Sequence, residues 1–158
     1  MIFTPEIFLA LGVLLLLAIS PFLKRNGHVI ATYSSLIFVV IAQYLVFKDI
    51  FHFEEIYNGF FVIDSFGSFI KSLLLIGTGI ILYIYLINNK DSEINKFEFP
   101  ILILLAVIGM MLMVSSNDIL SLFVAMELQS LSLYILVAFS RNKKNSSEAG
   151  VKYFVLGS

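Results

Sequence analysis

The chain contains 158 residues, of which 59% are hydrophobic and 13% are charged. A soluble domain carries about 25% charged residues, so this composition argues against a water-soluble enzyme and indicates an integral membrane protein. The net charge of −1 gives no basic surface for a nucleic acid, and the lack of cysteine excludes disulfides, thiolate zinc sites and iron–sulfur ligands in this chain.

Five apolar segments are long enough to cross a membrane, since about 20 mainly apolar residues cover the hydrocarbon core. In chain order they are Glu6–Leu23, His28–Phe47, Ser65–Ile87, Phe97–Val114 and Ile119–Phe139. A sixth stretch begins at Ser147, but residues 147–158 reach only about 18 Å of the required ~30 Å. We therefore expect an all-α, polytopic membrane protein with five complete transmembrane helices and the start of a sixth. Either the native chain continues, or another polypeptide completes the sixth helix.

Basic residues accumulate in every second loop. The first loop carries Lys24 and Arg25, and the loop before the sixth stretch carries Arg141, Lys143 and Lys144. The positive-inside rule then places the N-terminus outside. No basic residue precedes the first span, which argues against a cleaved signal peptide.

The loop between the second and third spans, residues 48–64, is rich in aromatic rings. We interpret it as an interfacial belt on the outer membrane surface, with a ligand site as the alternative. Its rings are Phe51, His52, Phe53, Tyr57, Phe60 and Phe61.

Polar residues and one proline mark three helix starts. Asp118, or Asn117 beside it, can cap the fifth helix. Ser147 can cap the sixth, with Glu148 favourable near its positive end. Pro100 suits the first turn of the fourth helix, where a missing amide is harmless.

Glu127 is the most informative ionisable residue. It lies about 12 Å into the fifth helix, near mid-membrane, where holding a charge costs roughly 2.5–3.5 kcal/mol. Ser130 and Tyr134 follow at i+3 and i+7, so the three side chains share one helix face. The pattern favours a proton-relay carboxylate, and the alternative is a structural glutamate that is buried and neutral.

Two lysines also fall within predicted helices. Lys152 follows Glu148 by four residues, the favourable order for a helical ion pair, although a lysine so near the interface can also snorkel to water. Lys71 lies about 9 Å into the third helix, and Asp64 on the same face is about 10 Å away. For Lys71 the sequence favours snorkelling or packing. The small residues Gly77–Gly79 suit a close helix contact.

The sequence resembles the N-terminal part of the antiporter-like subunit of respiratory complex I, known as chain 2 of NADH–ubiquinone oxidoreductase or subunit N. The third-helix entry FFVIDSFGSFIKSLLLIGT carries part of the resemblance. Its most specific part is NDILSLFVAMELQSLSLYILVAFSRNKKNSSEAGVKYFVLGS. The family's full subunit is about three times as long, with two inverted repeats of five helices, each with a broken helix.

The resemblance implies a partial antiporter-like fold and a role in proton translocation. Residues 1–90 would form three leading helices with the outer aromatic loop, and residues 91–158 the start of the first repeat. Glu127 and Lys152 match the family's proton-transfer residues of the fifth and sixth helices. Lys71 matches a recurrent lysine whose role is left open. Possible supporting residues are Ser130, Tyr134, Glu148 and Lys71.

The resemblance places redox chemistry in other subunits. No cofactor is expected in this chain, and FMN, iron–sulfur clusters and quinone are expected in partner subunits. The expected partners are other membrane-arm subunits, a second polypeptide with the remaining helices, and membrane lipid. Abundant Phe, Ile, Asn and Lys without Trp or Cys favour a mitochondrial inner membrane, with a bacterial plasma membrane as the alternative. The alternative functions are a structural membrane-arm piece and an independent cation/proton antiporter.

Overall fold

The structure, a computed structural model, describes residues 5–22, 27–49, 54–56, 59–87, 96–140 and 143–157. Over these residues the chain forms helices α1 to α6 and a two-stranded antiparallel hairpin of β1 and β2. The helices are α1 Pro5–Ile19, α2 Gly27–Asp49, α3 Ser65–Ile87, α4 Glu98–Ser115, α5 Ile119–Val137 and α6 Lys144–Gly157. The strands are β1 Glu54–Ile56 and β2 Phe61–Ile63, which the sequence did not predict.

Helices α2, α3, α4 and α5 are each long and apolar enough to cross a membrane. Four of the five predicted complete spans are therefore present as helices of sufficient length, and over the described residues the first segment forms α1, a shorter apolar helix of 15 residues. A turn of 3₁₀ helix, Ser20–Phe22, follows it. The Ser20 hydroxyl donates to the Leu16 carbonyl at 2.6 Å, and Pro21 supplies no amide to continue an α-helix.

Helix α4 lies at the centre of the bundle and packs against α1, α2, α3 and α5. Four consecutive residues, 101–104, are buried, so α4 shows no polar face. The core around it includes Leu9 and Val13 of α1, Val39 of α2 and Leu75 of α3. The other helices all keep exposed apolar side chains, and among the four candidate spans α5 is the least buried.

The β-hairpin covers one end of the bundle, here called the hairpin end, where α1, α3 and α5 begin and α2 and α4 finish. Gly59, with φ of 87°, allows its turn. The Asn117 backbone amide donates to the Phe60 carbonyl, and the Asn117 side chain donates to the Gly59 carbonyl, each at 2.9 Å. These bonds fasten the hairpin to the α4–α5 turn. Of the predicted aromatic belt, Phe60 and Phe61 belong to the hairpin, while residues 51–53 and 57 lie outside the described residues.

Two of the three predicted helix starts are confirmed. The Asp118 carboxylate accepts the Leu120 amide at 3.0 Å, and Pro100 lies in the first turn of α4. Ser147 as the cap of the sixth helix is wrong, because α6 begins earlier, at Lys144. The Ser147 amide already donates to the Lys143 carbonyl at 3.2 Å, so part of the predicted basic loop is helical.

Among the described glycines, Gly109 marks the closest approach between two helix backbones, those of α4 and α5. A Cβ added to Gly109 would lie 2.7 Å from the Gln129 amide nitrogen and 3.0 Å from the Ala125 carbonyl oxygen. The contact predicted at Gly77–Gly79 is present only in part: among the described residues an added Cβ at Gly79 would lie 3.9 Å from Val39 of α2, and one at Gly77 meets nothing within 4 Å. Gly77 instead lines an apolar groove of about 760 Å³ between α3, α4 and α5.

Candidate functional site

The close approach at Gly109 fixes the direction in which Glu127 points. Ala125 and Gln129 form the face of α5 that meets α4. Successive helix positions are turned by about 100°, so position 127 lies about 180° from the middle of that face. Glu127 therefore projects away from α4 and from the centre of the bundle.

The surroundings of Glu127 on its own helix are apolar and open. Phe123, Val124 and Leu131, which lie one turn before and after it, are each about half exposed. Glu127 itself is half-buried, and within the described parts of the chain it forms no ion pair. An ionised carboxylate in such a position requires a cation or water once lipid surrounds the helix. The structure thus places the glutamate where a partner from outside the bundle can reach it.

Ser130 and Tyr134 follow Glu127 but do not extend a hydrogen-bonded path from its carboxylate among the described residues. The Ser130 hydroxyl donates to the Glu127 backbone carbonyl at 3.1 Å. The Tyr134 ring turns towards α6 and makes edge contacts with Tyr153 at 4.8 Å and Phe154 at 5.5 Å between centroids. Tyr134 therefore holds α6 against α5 in this conformation.

Lys152 lies on the exposed surface of α6. Its ammonium is 2.7 Å from the Glu148 carboxylate, so the i, i+4 ion pair indicated by the sequence is present. Both side chains are more than half exposed. The structure pairs Lys152 with Glu148 and not with Glu127.

Lys71 is deeply buried, and the expectation that it snorkels is wrong. Its ammonium lies 2.6 Å from the Glu6 carboxylate of α1, and the two side chains are 4% and 7% exposed. The Ser115 hydroxyl, at the end of α4, donates to the same Glu6 oxygen at 3.3 Å. One carboxylate thus joins three helices at the hairpin end.

Sequence reasoning missed Glu6, Ser115 and a second polar contact beside them. The Gln43 amide of α2 donates to the Ser72 hydroxyl of α3, next to Lys71. One signal for the ion pair was available in the sequence. Glu6 is a carboxylate in the first turn of an apolar helix, and Lys71 lies at a similar depth in another helix. Nothing in one sequence states that α1 and α3 are neighbours at that depth.

The chain resembles known proteins over most of its length. Residues 116–158, which include α5 and α6, match the family described as NADH:quinone oxidoreductase/Mrp antiporter, TM. The sequence is 40% identical over 154 residues to NADH-quinone oxidoreductase subunit N 1 of Rhizobium meliloti, covering 97% of this chain and 32% of that protein.

Two further bacterial relatives carry the name NADH-quinone oxidoreductase subunit N. The protein of Bartonella bacilliformis is 43% identical over 156 residues, covering 97% of this chain and 31% of the relative. The protein of Pelagibacter ubique is 36% identical over 153 residues, covering 96% of this chain and 32% of the relative. The chain spans about a third of the length of the curated relatives it matches.

Proposed function

Because the chain is homologous to NADH-quinone oxidoreductase subunit N, we propose that it is a proton-translocating component of the membrane arm of such an enzyme. The observation that carries the proposal is the placement of Glu127. A carboxylate at mid-helix, on an exposed apolar face and without an ion pair among the described residues, is suited to exchange a proton with a partner.

The proposed chemistry is electrostatic coupling between a carboxylate and a lysine. When a cation approaches, Glu127 holds its negative charge, and when the cation withdraws, it takes up a proton. Helices that correspond to the remaining two thirds of the relatives would supply that cation. Lys152 is a second candidate, and breaking its pair with Glu148 would free its ammonium.

The supporting residues act by small rearrangements. Ser130 keeps a lone pair free to accept a hydrogen bond, and a rotation of Tyr134 away from α6 would bring its hydroxyl towards the same face as Glu127. Residues 1–90 form the proposed leading unit and residues 91–158 the proposed start of an antiporter-like repeat. Lys71 belongs to the leading unit and anchors α1 through Glu6.

The proposed setting is an energy-conserving membrane with the N-terminus on its outer side. The partners would be other membrane-arm subunits and the polypeptide that supplies the later helices. FMN, iron–sulfur clusters and quinone would be bound by partner subunits. The relatives named above are bacterial, and the mitochondrial inner membrane remains a prediction that rests on composition.

The variant Glu127→Gln tests the proposal in the assembled enzyme. Glutamine keeps the shape of the side chain and removes its proton exchange, so we expect fewer protons translocated per NADH oxidised, with assembly retained. The measurement is proton uptake by vesicles during NADH oxidation. Glu55→Gln, a matched change at an exposed hairpin carboxylate, is expected to leave the ratio unchanged. An unchanged ratio in Glu127→Gln would remove the relay role.

A structural role is the second candidate, and the bonding of Ser130 favours it. Its hydroxyl is used by the backbone, and Lys152 is paired with Glu148, so the described residues contain no continuous proton path from Glu127. Under this alternative, Glu127→Gln is silent and Gly109→Ala blocks assembly. An independent cation/proton antiporter is the third candidate and predicts transport by the isolated chain.

A further inference from the structure

A cavity of about 330 Å³ opens at the end of the bundle opposite the hairpin. It lies where α1 and α5 finish and α4 begins, which is the boundary of the candidate span Glu98–Ser115. Ligand pockets begin at about 300 Å³, so the space accepts a small head group. Its lining includes two charged residues and several apolar ones: Lys96, Glu98, Leu102, Leu105, Ile135 and Phe139.

Glu98 lines this cavity and brings a carboxylate to it. Its Oε2 atom is buried and has no hydrogen-bond partner among the residues that the structure describes. The residue lies in the first turn of α4, near the positive end of the helix dipole. A buried carboxylate oxygen without a donor is costly, so a ligand that donates a charge-assisted hydrogen bond would stabilise it.

Lys96 supplies the opposite charge at the mouth of the same cavity. The residue is exposed, and its ammonium lies 5.6 Å from the centre of the Phe139 ring. Between Glu98 and Leu105 the lining follows α4 for about 10 Å and becomes apolar. The cavity therefore presents an anion, a cation and an apolar wall at the level of a membrane surface.

We propose that this cavity binds a phospholipid whose head group carries a primary ammonium, as phosphatidylethanolamine does. The ammonium donates to Glu98, the phosphate meets Lys96, and an acyl chain lies along Leu102, Leu105 and Ile135. The site stands apart from the proton function proposed above, since it uses neither Glu127 nor Lys152.

The charges select among lipid classes. Phosphatidylglycerol has no cation for Glu98, and its negative charge is repelled by that carboxylate. Phosphatidylcholine carries a charge but no N–H group, so it leaves the buried oxygen without a donor. A primary ammonium supplies both the positive charge and the N–H donor that the Glu98 carboxylate requires.

Retention of lipid by the purified protein tests the site. The full chain is incorporated into nanodiscs of equal parts phosphatidylethanolamine, phosphatidylglycerol and phosphatidylcholine, then extracted with mild detergent, and bound lipid is counted by mass spectrometry. We expect phosphatidylethanolamine to be enriched several-fold over the other two lipids. Glu98→Gln is expected to abolish that enrichment, and Glu55→Gln, an equal loss of charge elsewhere, is expected to keep it.

Two further variants keep the test decisive if Glu98→Gln does not fold. Leu102→Phe fills the cavity without changing either charge and is expected to remove the enrichment. Lys96→Gln is expected to weaken retention of phosphatidylethanolamine and to leave retention of phosphatidylcholine unchanged. Equal retention of the three lipids by the unmodified chain would overturn the proposal. Carbodiimide coupling of Glu98 to a lysine of a neighbouring subunit in the assembled enzyme would also overturn the proposal, because a protein side chain would then be the partner of Glu98.

Discussion

Two ion pairs of nearly equal length occupy opposite environments in this molecule. The Glu6–Lys71 pair, at 2.6 Å, joins different helices and is 7% and 4% exposed, whereas the Glu148–Lys152 pair, at 2.7 Å, lies within α6 and is 52% and 68% exposed. The first pair is enclosed by elements of this chain and receives a further hydrogen bond from Ser115. The second remains open to whatever packs against α6.

The difference separates a closed part of the molecule from an open one. Around α4, the helices α1 to α3 enclose the Glu6–Lys71 pair and close on a shared core. Helices α5 and α6 leave Glu127, Lys152 and long apolar faces uncovered by the described residues. A charge enclosed by its own chain needs its counter-charge for the fold to be stable, while a membrane-level charge on an uncovered face is available for coupling to a partner.

The largest expected effect comes from breaking the closed pair. Lys71→Met leaves the Glu6 carboxylate buried without its counter-charge, which is expected to lower the free energy of unfolding by about 3–5 kcal/mol. Titration of the purified chain with a denaturing detergent in mixed micelles measures this change. The double variant Glu6→Leu with Lys71→Met is expected to recover most of the lost stability, because no unpaired charge remains. A single variant as stable as the unmodified chain would contradict the account.

Gly109→Ala, at the joint between the closed and open parts, is expected to have a medium effect. The new methyl group meets backbone atoms of Gln129 and Ala125, so α5 must move away from α4, at a cost of about 1–3 kcal/mol. The same detergent titration measures this loss of stability. Gly77→Ala is the matched control, because an added Cβ at Gly77 meets nothing within 4 Å. Equal stability changes in the two variants would show that the α4–α5 contact is not close.

The smallest effect is expected at the open pair. Lys152→Met removes a surface i, i+4 pair worth about 0.3–0.5 kcal/mol. The change in stability should shrink further when salt is added, because exposed charges are screened. Comparing the denaturation midpoints of variant and unmodified chain at low and high salt checks both statements. A loss as large as that in Lys71→Met would mean that the pair is enclosed after all.

Local chemistry made some of this structure predictable from the sequence. The apolar runs located the four spanning helices, and the carboxylate of Asp118 marked the start of α5 correctly. The sequence also indicated the i, i+4 pair of Glu148 and Lys152, because one helix sets both positions.

The predictions that failed concern contacts between helices, and a single sequence does not specify which helices are neighbours. Lys71 was expected to snorkel to water or to pack, and its ion pair was not predicted, because the partner lies in a different helix. A close contact was expected at Gly77–Gly79, but the closer backbone approach is at Gly109, because which glycine meets a backbone depends on how the helices are arranged. The start of α6 was predicted too late, because the polar residues from Lys144 onwards are as typical of a loop as of a first helical turn. The depth of Glu127 was predictable from the sequence, but its direction, away from α4, was not.

The central claim is that proton coupling depends on Glu127, on the open face, and not on the buried Glu6–Lys71 pair. The most direct measurement compares protons translocated per NADH oxidised in two assembled enzymes, one with Glu127→Gln and one with Glu6→Leu and Lys71→Met together. The account predicts a reduced ratio in the first enzyme and an unchanged ratio in the second. An unchanged ratio in Glu127→Gln, with a reduced ratio in the double variant, would contradict it and place the coupling at the buried pair.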